Sequence, residues 1–257
     1  MRVLRDIASS GDFGRRLIDL QRAATLTKPT AHRIAKALER HDMVTYDKKR
    51  RRYFLGAEIS ILSVSAPKDV PDLHELSRTE MRVLAQDTGD TAFLMVRSGN
   101  DVVCVARELG PYPIKALTGE IGQRRPLGVG AAGIALLAEL TPEETETVLS
   151  ANRGRAGMRG FPNATDKAVR AAIRDARVKG YAFSDGLVIR AVRGIGVAVH
   201  NRQGQAVAAL SVGAIRERMS GEHIEMVVAA LQRSQRAIER KLRATTRKAR
   251  RAPIARS

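Results

Sequence analysis

The chain has 257 residues and a formal charge of +18, with a single cysteine, Cys104. That length suits two domains better than one, and the basic excess calls for a polyanionic partner. One thiol excludes an internal disulfide and fits a reducing cytoplasm. No apolar run reaches transmembrane length and no signal peptide opens the chain, so a soluble cytoplasmic protein without membrane association is expected.

The charge is unevenly distributed. Residues 1–56 hold fourteen Lys and Arg against six Asp and Glu, residues 240–257 hold eight against none, and the middle is close to neutral. In chain order, Met1–Ala8 reads as an amphipathic helix through Val3, Leu4 and Ile7, and Arg15–Ala24 as a second through Leu17, Leu20 and Ala24. A third begins after about three residues. Thr27 is its N-cap, Pro29 sits in its first turn, and Ala31, Ile34, Ala35 and Leu38 form its apolar stripe. Arg33, Lys36, Ala37 and Arg40 point the other way. Met43–Asp47 and Arg52–Leu55 read as two strands around the basic turn Lys48-Lys-Arg-Arg51, closed by Gly56. Three helices and a basic-tipped hairpin make a winged helix-turn-helix over residues 1–56.

That arrangement predicts a double-stranded DNA operator as partner. Lys28, Thr30, His32, Arg33 and Lys36 are the candidate contacts on the third helix, and Lys48, Lys49, Arg50 and Arg51 those on the wing. Arg33 is the best candidate base reader, since a guanidinium binds guanine O6 and N7 together.

Residues 57–71 read as a helix, Ala57–Val64, followed by a proline-marked linker with a boundary near Pro67. In the segment 72–243, Asp72–Asp87 is expected to be helical, Thr91–Arg97 and Val102–Glu108 to form a hairpin, and Ile114–Leu117 to be a strand. Gly122–Leu127 reads as a loop, Ala131–Leu140 as a helix, and Thr141-Pro-Glu-Glu144 as a capping box. Residues 151–164 read as a mobile loop. Asp166–Lys179 is expected to be a helix ending at Gly180, followed by strands Gly194–Asn201 and Ala206–Gly213 and a helix from Ser220 to about Arg243. The order predicts an α+β domain with an antiparallel sheet. The tail, 244–257, reads as disordered, either a phosphate-binding arm or a solubilising segment.

Several of these segments, in this order, resemble the IclR family of bacterial transcription regulators. They are Leu26-Thr-Lys-Pro-Thr-Ala-His-Arg-Ile-Ala35, Arg52-Tyr-Phe-Leu-Gly56, Gly122-Gln-Arg-Arg-Pro-Leu127, Gly180-Tyr181 and Ala208-Ala-Leu-Ser-Val-Gly213. The resemblance implies a GAF-like α/β effector-binding domain, a homodimer or tetramer, a palindromic operator, and a small-molecule effector that alters operator affinity. It places that effector between the Gly122–Gly133 segment and the strands around Asp185–Val197 and Ser211. The residues there set its character: Leu117, Leu127, Gly130, Ala131, Ala132, Ile195 and Val197 are apolar or small, and Asp185 and Ser211 are polar. The chain departs from the family pattern at Gly128-Val-Gly130, where His-Ala-Thr or His-Ala-Ser is usual, at Gly194, where cysteine is common, and at Ser184-Asp-Gly186. These departures favour a bulkier or more apolar ligand over a polar carboxylate; the alternative is that the residues only pack a core.

Two other classes are weighed. A non-specific nucleic-acid-compacting protein suits the charge but not the neutral middle. A nucleotide-binding enzyme suits Gly128-x-Gly130-x-x-Gly133 but lacks the preceding strand and the following acidic residue. His32, His41, His74, His200 and His223 have no metal-ligand spacing, and no Gly-x-Ser-x-Gly is present. No metal, cofactor or catalytic residue is expected.

Overall fold

The computed structural model describes residues 1–65 and 72–249. The chain divides into two compact units, Met1–Lys68 with Ile121–Gln123, and Asp69–Glu120 with Arg124–Ser257. The linker expected around Pro67 falls outside the described residues.

In the first unit, α1 (Arg2–Ala8), α2 (Leu17–Ala24) and α3 (Lys28–Arg40) precede an antiparallel hairpin, β1 (Val44–Asp47) and β2 (Arg52–Leu55), and a helix, α4 (Ala57–Ser65). Val3, Ile7, Leu20, Ala24, Ala35, Val44 and Tyr53 form its core. A short 3-10 turn at Gly11–Phe13, not expected from the pattern, leads to Arg15, whose backbone exchanges two hydrogen bonds with Tyr53 and ties the hairpin to α2. Gly56 is required where it stands. A Cβ there would lie 1.9 Å from the Asp42 carbonyl oxygen.

The second unit is built on a six-stranded sheet of order β5-β4-β3-β8-β7-β6, every neighbouring pair antiparallel. The strands are β3 (Thr91–Ser98), β4 (Asp101–Leu109), β5 (Arg124–Pro126), β6 (Ala182–Asp185), β7 (Val192–His200) and β8 (Ala206–Ile215). On one face pack α5 (Leu73–Thr88) and α9 (Gly221–Ala249), enclosing Leu84, Leu94, Ile195, Val197, Leu210 and Leu231. On the other lie α6 (Ala131–Ala138), α7 (Pro142–Asn152) and α8 (Asp166–Lys179), enclosing Phe93, Leu127, Ile134, Leu137 and Ile173. The caps explain the helix ends. Thr141 and Glu144 form the reciprocal capping box, Thr165 caps α8, and Gly180 ends it in the left-handed conformation.

Five expectations are corrected. Ile114–Leu117 is not a strand: local bonds from Leu117 and Thr118 to Lys115 and Ala116 curl it, and the outer edge of β4 is taken by β5 instead. Gly122–Leu127 is not wholly loop, because Arg124–Pro126 pairs with Asp101–Val103. A strand therefore does precede the Gly128–Gly133 motif, but it is a three-residue antiparallel edge strand, not the parallel strand of a dinucleotide site. Residues 151–164 hold the end of α7 and a 3-10 turn, Ala156–Gly160, and buried Asn152 donates to the carbonyls of Asn100 and Leu127. Finally, α9 runs to Ala249, past the expected end near Arg243; the rest of the basic tail lies outside the described residues.

Candidate nucleic-acid interface and ligand pocket

The helix α3 is oriented by its caps and stripe. The Thr27 hydroxyl accepts from the Thr30 amide at 3.4 Å, and its partner hydroxyl on Thr30 lies 2.9 Å away. Ala31 and Ala35 are fully buried, which fixes Arg33, Lys36, Ala37 and Arg40 on the exposed side. Thr30 is half-buried, while Lys28 and His32 are exposed and look into a concavity of about 510 Å³ that they share with Lys36, Arg16 and Arg51. The nine expected DNA contacts thus lie on one helix and one turn of the same unit. Lys36 is bound to Glu39 at 2.8 Å, an ion pair that raises its pKa, and Arg16 to Asp19 at 3.1 Å. Arg33 makes no ion pair or hydrogen bond among the described residues, so its guanidinium is available to an external partner.

The wing tip is set by its backbone. The Asp47 carboxylate accepts from the amides of Lys49 and Arg50 at 2.8 and 2.9 Å, and Arg51 adopts a φ of 54°. This tight turn leaves the side chains of Lys48, Lys49, Arg50 and Arg51 exposed.

In the second unit a small pocket of about 40 Å³ opens at the N-terminus of α6. Gly194 of β7 lines it, and Gly196 of the same strand lets α6 approach the sheet. A Cβ on Gly196 would sit 2.9 to 3.1 Å from the backbone of Ala131 and Ala132, so only glycine lets the helix start lie on the sheet. Gly130 precedes α6 with a φ of 83°, no side chain caps the helix, and its first turn has no acidic residue. The first helical bond runs from the Ile134 amide to the Gly130 carbonyl, and the amides before it have no intrahelical acceptor.

Of the expected ligand contacts, Gly130, Ala131, Ala132 and Ser211 line the pocket together. Five do not. Leu117 is 56% exposed, whereas its neighbour Ala116 is buried and Thr118 lines the pocket. Leu127 lies in the core beneath α6. Ile195 and Val197 point to the opposite face, toward α5 and α9, because successive strand residues alternate. Asp185 is held by Arg193 at 3.3 Å and Arg216 at 2.6 Å, outside the lining.

The pocket is completed by residues that sequence reasoning missed: Phe93, Met95, Val129, Val188, Thr118, Ser184 and Arg125. Arg125 is 6% exposed, and burial lowers its pKa. Its neighbour on the strand, Arg124, faces the other way, toward Asp101 and the Ser98 hydroxyl. Among the described residues the Arg125 guanidinium makes neither an ion pair nor a hydrogen bond. The nearby Cys104 thiol is pushed by burial up to about 11 and donates to the Ala106 carbonyl, so it supplies no negative charge near neutral pH. No group of three or more His, Cys, Asp or Glu among the described residues is arranged to hold a metal ion, and no described helix is long and apolar enough to cross a membrane.

Comparison with known proteins matches both units. The IclR helix-turn-helix domain matches residues 1–48, and the bacterial transcriptional regulator IclR C-terminal domain matches residues 68–240. The chain is 24% identical over 230 residues to the HTH-type transcriptional regulator XynR of Escherichia coli strain K12, covering 88% of this chain and 89% of that one. An IclR transcriptional regulator from Alicyclobacillus acidocaldarius superposes with a TM-score of 0.74 at 27% identity, over 93% of this chain and 95% of the other. An IclR homologue from Microbacterium hydrocarbonoxydans, solved in complex with 4-hydroxybenzoate, has the same fold, with a TM-score of 0.71 at 23% identity over 95% of this chain and all of the other.

Proposed function

The chain belongs to the IclR family of bacterial transcriptional regulators, a family of DNA-binding proteins and not of enzymes, and on that premise we propose that a small-molecule effector, bound at the α6 pocket, modulates its affinity for a palindromic operator. The protein acts as a homodimer or tetramer, each recognition helix reading one half-site of the DNA. Lys28, Thr30, His32, Arg33 and Lys36 enter the major groove, with Arg33 the base reader. Lys48, Lys49, Arg50 and Arg51 hold phosphates or the adjacent minor groove.

The observation that carries the effector reading is the lining of the pocket. Thr118, Ser184, Ser211 and an arginine converge on one opening beside an uncapped helix start, an arrangement that core packing alone has no use for. The relative that holds 4-hydroxybenzoate supports a small organic ligand as the class of effector.

The test is a thermal-shift screen of a metabolite library, followed by operator binding with each hit. At least one compound should both stabilise the protein and change operator affinity, and Ala132→Trp, which fills the pocket, should abolish both effects. If no compound does both and Ala132→Trp leaves regulation intact, the effector reading falls and the DNA-binding half stands alone. Charge favours one competing reading, non-specific compaction of nucleic acid, since residues 240–257 carry eight basic side chains and no acidic one. Against it stands the specific pocket domain that occupies most of the chain.

A further inference from the structure

We propose that the C-terminal half of α9 carries a second DNA-binding surface, in which Arg236, Arg240 and Arg243 hold backbone phosphates in addition to those held by the recognition helix and the wing. The proposal rests on the reading of the chain as a DNA-binding regulator and adds a contact from its second unit. At 3.6 residues per turn, Arg233, Arg236, Arg240 and Arg243 fall within about a quarter of the helix circumference and along about 15 Å of its axis. All four are exposed, and the buried Leu231, Ser234, Ile238 and Leu242 occupy the opposite side.

Like charges three and four residues apart on a helix repel one another, and on other helices of this chain acids are interleaved with the bases. Arg78 is bound to Glu75 at 2.8 Å, Lys36 to Glu39 at 2.8 Å, and Arg170 to Asp166 at 2.8 Å and Glu146 at 2.7 Å. Around this half of α9 the acids are already taken: Asp87 by Arg233 at 3.0 Å, Glu80 by Lys241 at 2.8 Å, and Glu239 by His200 at 2.9 Å. Glu222 and Glu225 share the outer face but stand in the first two turns, about 16 Å or more along the axis from Arg236. Arg236, Arg240 and Arg243 therefore make no ion pair or hydrogen bond among the described residues. The helix dipole does not account for them, because its pull is confined to the last turn and even Arg243 lies six residues before the end at Ala249.

The chemistry of the row selects its partner. Beside the arginines stand Gln232, Ala237 and Ala244, with none of the aromatic or large apolar side chains that anchor a protein interface. Bare guanidiniums in a row match a regular polyanion. Duplex DNA carries one charge per about 1.7 Å of axis, so 15 Å of it offers roughly nine phosphates. The sequence continues in the same character with Arg247, Lys248, Arg250 and Arg251 and no acidic residue. Contacts of this kind add affinity and salt dependence but carry no sequence information.

The experiment uses the full chain, a long duplex spanning its promoter region and a scrambled duplex of equal length, with affinity measured over a salt series. Replacing the three arginines together, Arg236→Gln, Arg240→Gln and Arg243→Gln, should lower the salt slope by about two to three units on both duplexes. Both affinities should fall by the same factor, leaving the preference for the promoter fragment unchanged. Lysine at the same three positions keeps the charge and should keep most of the slope, whereas Arg78→Gln with Arg170→Gln, which removes arginines already held by carboxylates, should leave it unaltered. Since the three lack an intramolecular partner, the glutamine variant should melt no lower than wild type. An unchanged slope overturns the proposal. So does a loss confined to the promoter fragment, an equal loss when Arg78 and Arg170 are replaced, or a clear fall in melting temperature, which would give the three to the fold. A glutamine variant that binds both duplexes like wild type yet fails to regulate in the cell would assign the row to an acidic protein surface and overturn it too. Each of these results leaves the operator reading standing. Wild-type binding without any preference for the promoter fragment removes that reading instead, and the slope on scrambled DNA still decides the role of α9.

Discussion

Replacing Arg33 with alanine separates base reading from general affinity for DNA. Arg33 lies on the side of α3 opposite the buried Ala31 and Ala35, and it has no intramolecular partner among the described residues. Its removal therefore leaves no orphaned group, and alanine is a slightly better helix former, so stability should stay within about 0.5 kcal/mol of wild type. Whatever is lost is lost at the interface. A bidentate contact to guanine is worth about 1–3 kcal/mol of discrimination, roughly 5- to 160-fold in Kd at each half-site. The assay is fluorescence anisotropy on operator and scrambled duplexes over a salt series. Operator affinity should fall by that factor while scrambled binding barely changes. Equal loss on both duplexes, with a salt slope shallower by about one unit, would reassign Arg33 to a phosphate and refute its role as base reader.

Changing Lys48, Lys49, Arg50 and Arg51 together to alanine should flatten the salt dependence of operator binding by about three to four units, since each phosphate contact contributes about 0.9; an unchanged slope removes the wing from the interface. Asp90, whose side chain is 1% exposed, is bound to Arg218 at 2.7 Å and His223 at 2.6 Å, so Asp90→Ala should cost about 3–5 kcal/mol in denaturant unfolding, and a loss under about 1 kcal/mol would show that the cluster holds nothing together. His200 lies between Glu139 and Glu239 at 3.0 and 2.9 Å; burial alone would lower its pKa, but the two carboxylates outweigh it and the net shift is upward from 6.5. Its contribution to stability is therefore full below about pH 6.5 and lost as pH rises through the folded value, so the gap in melting temperature between wild type and His200→Gln should narrow with rising pH. A gap independent of pH would contradict the pairing.

The DNA-binding unit was legible because its signals are local. Thr27, Pro29 and the Ala31–Leu38 stripe specify a helix start and a buried face within three turns, and four basic residues between two short β patterns specify a wing. The pocket was legible only in part, because its residues are chosen by strand parity, which depends on the whole sheet. Ile195 and Val197 have the apolar character of a ligand wall, yet a shift of one residue decides the face, and the sheet gives α6 the glycines instead. Arg124 and Arg125 show the same effect. Read as loop, adjacent arginines are equivalent; once Arg124–Pro126 pairs with β4, one reaches Asp101 and the other is buried in the pocket. No local pattern marks a three-residue strand that ends in proline. Likewise, the apolar Ile114 and Leu117 suggest a strand, but the edge they would need is already occupied by β5.

The net charge of +18 should serve sequence-specific recognition and not coating. A nuclease protection footprint of the purified full chain, at physiological salt, on DNA spanning its own promoter region and neighbouring genes tests it most directly. A regulator of this kind should protect a discrete palindromic site with half-sites about one helical turn, or a multiple of it, apart. Uniform protection that spreads along the whole fragment as protein is added would contradict it.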